Sequence, residues 1–245
     1  MTERITRRDI ISGALATGAA LLSHAPAVVA KTFRGSMPGS PSSFIHPQAI
    51  SANGYLFFSS NEVAFVEAVV DRLIPTDELG PGALEAGCVL FIDRQLAGSY
   101  GHADRWYMQG PWPEGDEQQG MQGRMSPAET YRAGIRAMNG HCHQTFGGKP
   151  FNELTTIDQD VLLSTMEKAE LPLPGVNANS FFSLLLQNTT EGFFADPLYG
   201  GNHDMIGWKL IGFPGARYDH LVEVSNHGKP YTLPPVGILG RKAWD

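Results

Sequence analysis

The chain is short of positive charge: 18 lysines and arginines stand against 25 aspartates and glutamates, a formal net charge of −7. Nucleic acid is bound through basic side chains that displace counterions, so this balance argues against a nucleic-acid partner. Cysteine is scarce as well. Cys88 and Cys142 are the two present, and their spacing of 54 residues excludes a CxxC redox or zinc motif. Three fates are open to them: a mutual disulfide, burial in reduced form, or a link to another chain. No GxGxxG opens a helix after a strand, no P-loop is present, and no GxSxG elbow places a nucleophile. The alternating strand and helix pattern of a nucleotide-binding sheet is missing too.

A long uninterrupted apolar run is also lacking. Residues 10–30 come nearest, but Gly13, Gly18, Ser23, His24 and Pro26 break them, which leaves a weak membrane span. The basic start, modest apolar middle and small residues before Lys31 read instead as an export signal, with cleavage expected near Ala27 or Ala30. Thr6, the pair Arg7 and Arg8, then Asp9, Ile10 and Ile11 fit the twin-arginine pattern, a route that carries folded cargo. Removing residues 1–30 takes away Arg4, Arg7 and Arg8 against Glu3 and Asp9, so the mature chain carries −8.

What is abundant is apolar and helical. With 245 residues and 42% hydrophobic content the chain supports one sizeable core. Residues 31–58 mix Gly, Pro and Ser with aromatics and read as an extended arm. A first helix is expected with Ser60 or Asn61 as N-cap and Val63, Val66, Val69, Val70, Leu73 and Ile74 as its stripe, up to Pro75. A second is expected from about Pro81, with Leu84, Cys88, Phe91, Ile92 and Leu96 on one face and Gly98 at its end. Ser126, Pro127 and Glu129 form a capping box with proline at the first helical position, opening a third helix to about Phe146. A fourth opens near Ile157 with Val161, Leu162, Met166 and Ala169 as its stripe, and ends before Pro172. A fifth, over about 179–194, is too apolar for a surface element. From Gly212 the chain reads as irregular, apart from a short strand at 220–224. The expected architecture is mostly α: a leader at 1–30, an arm at 31–58, one helical domain at 59–211 and an irregular C-terminal arm at 212–245.

Few residues look catalytic. His141, Cys142 and His143 are of metal-ligand type, but successive helix positions are turned by about 100° and do not converge on one ion. His203 and Asp204 in "GGNHD" belong to a turn, where adjacent residues rarely form a base and its partner. Asp71, Asp77 and Glu85 read as solvated or capping acids.

Two stretches stand out for another reason. Residues 191–215, "EGFFADPLYGGNHDMIGWKLIGFPG", hold six glycines and five aromatics, Phe193, Phe194, Tyr199, Trp208 and Phe213. Glycine lets backbones approach closely and aromatics supply large contact area, a combination that suits either a docking surface or a tightly packed turn. The loop at 99–125 is too long for an ordinary connection and carries Trp106, Tyr107, Met108 and Trp112. Aromatics and Met are enriched at interfaces, which favours docking. The expected interface is Trp106, Tyr107, Trp112, Phe193, Phe194, Tyr199, Asn202, Trp208 and Phe213.

The segments "DRLIPTDELGPGALEAGCVLFIDRQLAG" (71–98), "WYMQGPW" (106–112), "SPAETYRAG" (126–134) and "EGFFADPLYGGNHDMIGWKLIGFPGARY" (191–218) resemble the gluconate 2-dehydrogenase subunit 3 family. These are small subunits of membrane-associated, flavin-dependent sugar and sugar-acid dehydrogenases. The resemblance implies a separate large subunit of the glucose-methanol-choline type that holds FAD and oxidises the substrate, and a multihaem cytochrome c subunit that takes the electrons. It implies an escort role for this chain, whose leader engages the twin-arginine translocase and brings a folded, loaded partner into the periplasm, at the inner membrane. No catalytic, cofactor or metal residue carries over to this chain. Family members use a cysteine for linkage to the large subunit, which makes Cys88 and Cys142 candidates. Two other readings compete: a self-sufficient periplasmic enzyme using His203, Asp204 or His220 with a metal, and a carbohydrate-binding module that stacks sugars on Trp and Tyr.

Overall fold

Ser59, with Glu62 three residues on, starts the helical body. The computed structural model describes residues 54–113, 115–116, 123–217, 219–221 and 223–239. The expected leader and most of the arm, up to residue 53, lie outside the described residues. The Glu62 carboxylate accepts from the Ser59 backbone N–H at 2.9 Å and closes a capping box, so α1 runs Ser60–Leu73, one position earlier than the first expected cap. Of the paired serines only Ser59 has a glutamate at the third helical position. Val63, Val66, Val69 and Val70 are buried as their spacing predicts, and Phe65 joins them.

The second helix, α2, spans Cys88–Ala97 and begins seven residues after Pro81. Gly87 stands at its N-cap with φ 75°, a left-handed conformation that ends the turns before it, and Leu84 consequently faces outward instead of continuing the buried stripe. Helix α3 spans Pro127–Thr145 with the expected cap: Ser126 Oγ accepts from Glu129 N–H, and the Glu129 carboxylate accepts from Ser126 N–H at 2.8 Å. Helix α4 spans Thr156–Glu167 from an N-cap at Thr155. Its buried side is Leu162, Leu163 and Met166, whereas Val161 is exposed and Ala169 lies beyond the helix at φ 58°. Leu162 and Met166 of the expected stripe are buried, and Leu163 takes the place expected for Val161.

Helix α5, Ala178–Phe194, packs against α1, α2, α3 and α4, and also against α6, Ile206–Ile211. Burial on several sides explains its near-continuous apolar sequence. The core runs from Phe65 through Phe181 to Tyr131, with ring centroids 6.5 Å and 5.9 Å apart. A polar thread passes beside it: Tyr100 donates to Asn188 Oδ1 at 3.0 Å, and Asn188 donates to the Tyr131 hydroxyl at 3.2 Å. That thread satisfies the buried phenol and amide, which would otherwise be costly to bury.

The protein is helical, and among the described residues no strand forms. Where a strand is expected at 220–224, the described residues instead form a 3-10 turn at Glu223–Ser225, with Glu223 and Val224 N–H donating to the His220 carbonyl at 3.0 Å and 3.2 Å. The C-terminal segment is held by a bridge between Gly215 and Val236, by Arg217, which donates to the Pro234 carbonyl and stands 5.5 Å from the centre of the Tyr231 ring, and by Ile238 N–H donating to Asp196 at 2.7 Å. Among the described residues no helix is long and apolar enough to cross a membrane.

Candidate functional site

Both conspicuous stretches are anchored on the last turns of α5. After α5 ends at Phe194, a 3-10 turn at Pro197–Tyr199 and another at His203–Met205 fold the chain back onto it. The return passes so close that a Cβ on Gly201 would lie 2.2 Å from the Gly192 carbonyl oxygen, which leaves glycine as the residue that fits. Asn202 is buried at φ 47° and ψ 44°. Its side-chain N–H donates to the Ala195 carbonyl at 2.8 Å, and its Oδ1 accepts from Gly207 N–H at 2.8 Å, tying the end of α5 to the start of α6. Asparagine tolerates this left-handed geometry better than most side chains. The Trp208 indole N–H donates to the Phe194 carbonyl at 2.7 Å, which seats α6 on α5.

The expected interface residues of this segment therefore divide by depth. Phe193, Asn202 and Trp208 are buried, and Phe194 is half-buried. Tyr199 and Phe213 are exposed, and the Phe213 ring meets Trp208 edge to face at 5.2 Å. Leu210 and Ile211, which the sequence reading passed over, are exposed on α6 beside Phe213. The helix period gives no signal for them: they stand three and four positions after Gly207, near the side that Gly207 and Trp208 bury, and are exposed all the same. The glycines build the scaffold, and Tyr199, Leu210, Ile211 and Phe213 are what it presents.

The other stretch is rooted through Tyr100, whose hydroxyl reaches Asn188 of α5. Trp106 meets the Tyr100 ring edge-on at 6.0 Å. Beyond it Trp106 and Tyr107 are exposed, Tyr107 at 81%, and Trp112 is half-buried. With Met108, Gln109 and Pro113 they line an open cleft of about 500 Å³. Among the described residues no charged side chain lines it, and those residues offer ring faces and neutral polar edges.

The residues of catalytic type are dispersed. His203 is exposed and lays its ring against the backbone of Gly87, while its own N–H donates to the Ala86 carbonyl at 3.0 Å. His220 stands against Tyr231, with ring centroids 6.2 Å apart. His143 contacts the Gly148 carbonyl, and His141 faces Thr145 at 3.5 Å. Among the described residues no group of three His, Cys, Asp or Glu is placed to hold a metal ion. Cys88 and Cys142 are both free and buried, and Cys88 Sγ donates to the Thr189 carbonyl at 3.6 Å. Burial pushes the Cys88 thiol up to about 12 and the Cys142 thiol up to about 11. Neither is exposed to a partner or poised as a thiolate.

The geometry defines a small helical module whose most unusual segment is a rigid mount for outward-facing aromatic and aliphatic side chains. The chain belongs to the gluconate 2-dehydrogenase subunit 3 family, whose family model matches residues 60–215. The match starts at the first residue of α1 and closes at Gly215, so it spans the six α-helices of the described residues. No curated protein and no solved structure matches the chain.

Proposed function

We propose that this chain is the accessory subunit of a periplasmic, FAD-dependent dehydrogenase that oxidises gluconate or a related sugar or sugar acid. In this reading a large flavoprotein subunit of the glucose-methanol-choline type carries the FAD and the substrate, and a multihaem cytochrome c subunit receives the electrons. This chain supplies the twin-arginine leader, docks on the folded flavoprotein and stabilises it at the inner membrane. The family match over the six described α-helices is the observation that carries the proposal. Two features support it. In the most unusual segment Asn202 and Trp208 are engaged in bonds within the chain, and Tyr199, Leu210, Ile211 and Phe213 are exposed beside the polar or charged Glu191, His203, Asp204 and Lys209. Exposed tyrosine, tryptophan and phenylalanine are residue types enriched at interfaces, and obligate interfaces bury about 2,000–5,000 Å² in total.

Co-expression of the full chain with a large flavoprotein subunit of the glucose-methanol-choline type tests this reading. The expected result is a flavin-coloured complex in the periplasm, with both subunits retained in the cytoplasm when Arg7→Lys and Arg8→Lys are combined. A soluble lone chain that is itself yellow and turns over a sugar acid would refute it.

A further inference from the structure

Asp93 is a fully buried carboxylate on α2, and its partners come from outside the helix core. Its Oδ1 accepts from the backbone N–H groups of Phe57 and Phe58, each at 2.9 Å, and its Oδ2 accepts from Leu56 N–H at 2.7 Å. Arg94 pairs with the same carboxylate at 2.5 Å and donates to the Gly54 carbonyl at 2.8 Å. From α3, Arg132 donates to the Phe57 carbonyl, lies 4.1 Å from the centre of the Phe57 ring and pairs with Glu62 of α1. Glu62 in turn holds Ser59. Residues 54–59 are thus fastened through their backbone by groups from α1, α2 and α3.

Three consecutive N–H groups on one carboxylate make a site that depends on both sides. A buried carboxylate that loses partners is strongly unfavourable, and undocking the segment would strip three backbone N–H donors from Asp93 and leave it the Arg94 pair. The segment has these acceptors and donors only once the three helices have packed. We infer that Asp93 is a latch that fixes the N-terminal segment to the protein after, and only after, the helical body has folded. Latching turns Phe58 inward against Tyr131, with ring centroids 6.0 Å apart, and leaves Tyr55 and Leu56 exposed at a fixed place on the surface. Gly54 is consequently held at one defined point on the folded body. This inference goes beyond the accessory-subunit reading and stands without it.

Hydrogen exchange on the full-length chain, resolved to the amides of residues 56–58, tests the latch with no partner present. In the wild type these three amides are protected to the level of α2, although they lie in no helix or strand. Asp93→Asn replaces one acceptor oxygen by a donor and removes the charge. It is expected to speed their exchange on the order of tenfold to a hundredfold, as the loss of hydrogen bonds to a charged group does, while amides of α4 and α5 keep their protection. Arg132→Gln, at a side chain with 38% exposure, gives a second readout that leaves Asp93 in place, with smaller loosening confined to the same amides. Unprotected amides at 56–58 in the wild type, unchanged exchange there in the variants, or equal loosening of every helix would each overturn the latch.

Discussion

Asn202 shows how much one side chain does in the segment 191–215. It occupies a left-handed backbone position, and its amide bridges the end of α5 and the start of α6. Asn202→Ala strands the Gly207 N–H and the Ala195 carbonyl in a buried place, so urea unfolding should show a loss of about 1–3 kcal/mol for each group left unsatisfied. Little change in the unfolding midpoint would mean that the turn is held by other contacts. The two cysteines lead to a second expectation. Unfolded thiols ionise near 9.0, whereas burial raises Cys88 to about 12 and Cys142 to about 11 in the folded chain. Burial raises the Tyr131 phenol as well. An acid whose folded pKa is raised contributes its full stability below the unfolded pKa and loses it as pH climbs toward the folded one. Stability should hold up to pH 9 and fall progressively between pH 9 and about 12, with the thiols resisting alkylation in the native state; urea titrations across that range, with mass spectrometry of the alkylated chain, check both.

At the scale of elements, packing distance decides which glycines are needed. Gly201 crosses Gly192 with no room for a Cβ, and the atom in the way is a backbone oxygen. Gly201→Ala therefore forces the turn off α5, with an expected loss of about 1–3 kcal/mol or more. Gly140, in the middle of α3, has open space around its Cβ position. Gly140→Ala should stabilise the protein by about 0.4–1 kcal/mol by restricting the unfolded chain. Thermal melts of the two variants should move in opposite directions, and equal shifts would contradict the crossing geometry. The elements differ in how far the sequence announces them. The Ser126 and Glu129 box states the start of α3 outright, because both capping partners are local. The start of α2 is hidden, because apolar residues at 83, 84 and 86 continue a helical pattern that only the left-handed Gly87 interrupts. The face of α4 is hidden for a similar reason. Val161, Leu162 and Leu163 are consecutive apolar residues, and neighbouring helices, not the sequence, choose which two are covered.

For the whole molecule the helical class was legible from periodicity and caps, while the depth of the candidate interface was not. Phe193, Trp208 and Phe213 are alike in type, yet two are buried and one is exposed, since their positions follow from how α6 folds back on α5. Aromatic content singled out these segments without separating their buried residues from their exposed ones. If the outer face docks a flavoprotein, single polar replacements there should weaken assembly and leave the fold intact. Phe213→Ser and Tyr107→Ser are expected to lower affinity for the large subunit by tenfold or more each if they are central to the contact, on the order of the 1–3 kcal/mol that interface aromatics commonly contribute, with unchanged melting of the lone chain. Affinity unaltered in both would move the interface elsewhere on the molecule.

The most direct test of the accessory role is light scattering with flavin absorbance across the eluting peak of the co-expressed subunits. The account predicts one species whose mass is that of this chain plus the large subunit, carrying the flavin, and a colourless peak for this chain alone. Separate peaks for the two chains, or flavin and sugar-acid turnover in the peak of this chain by itself, would contradict it.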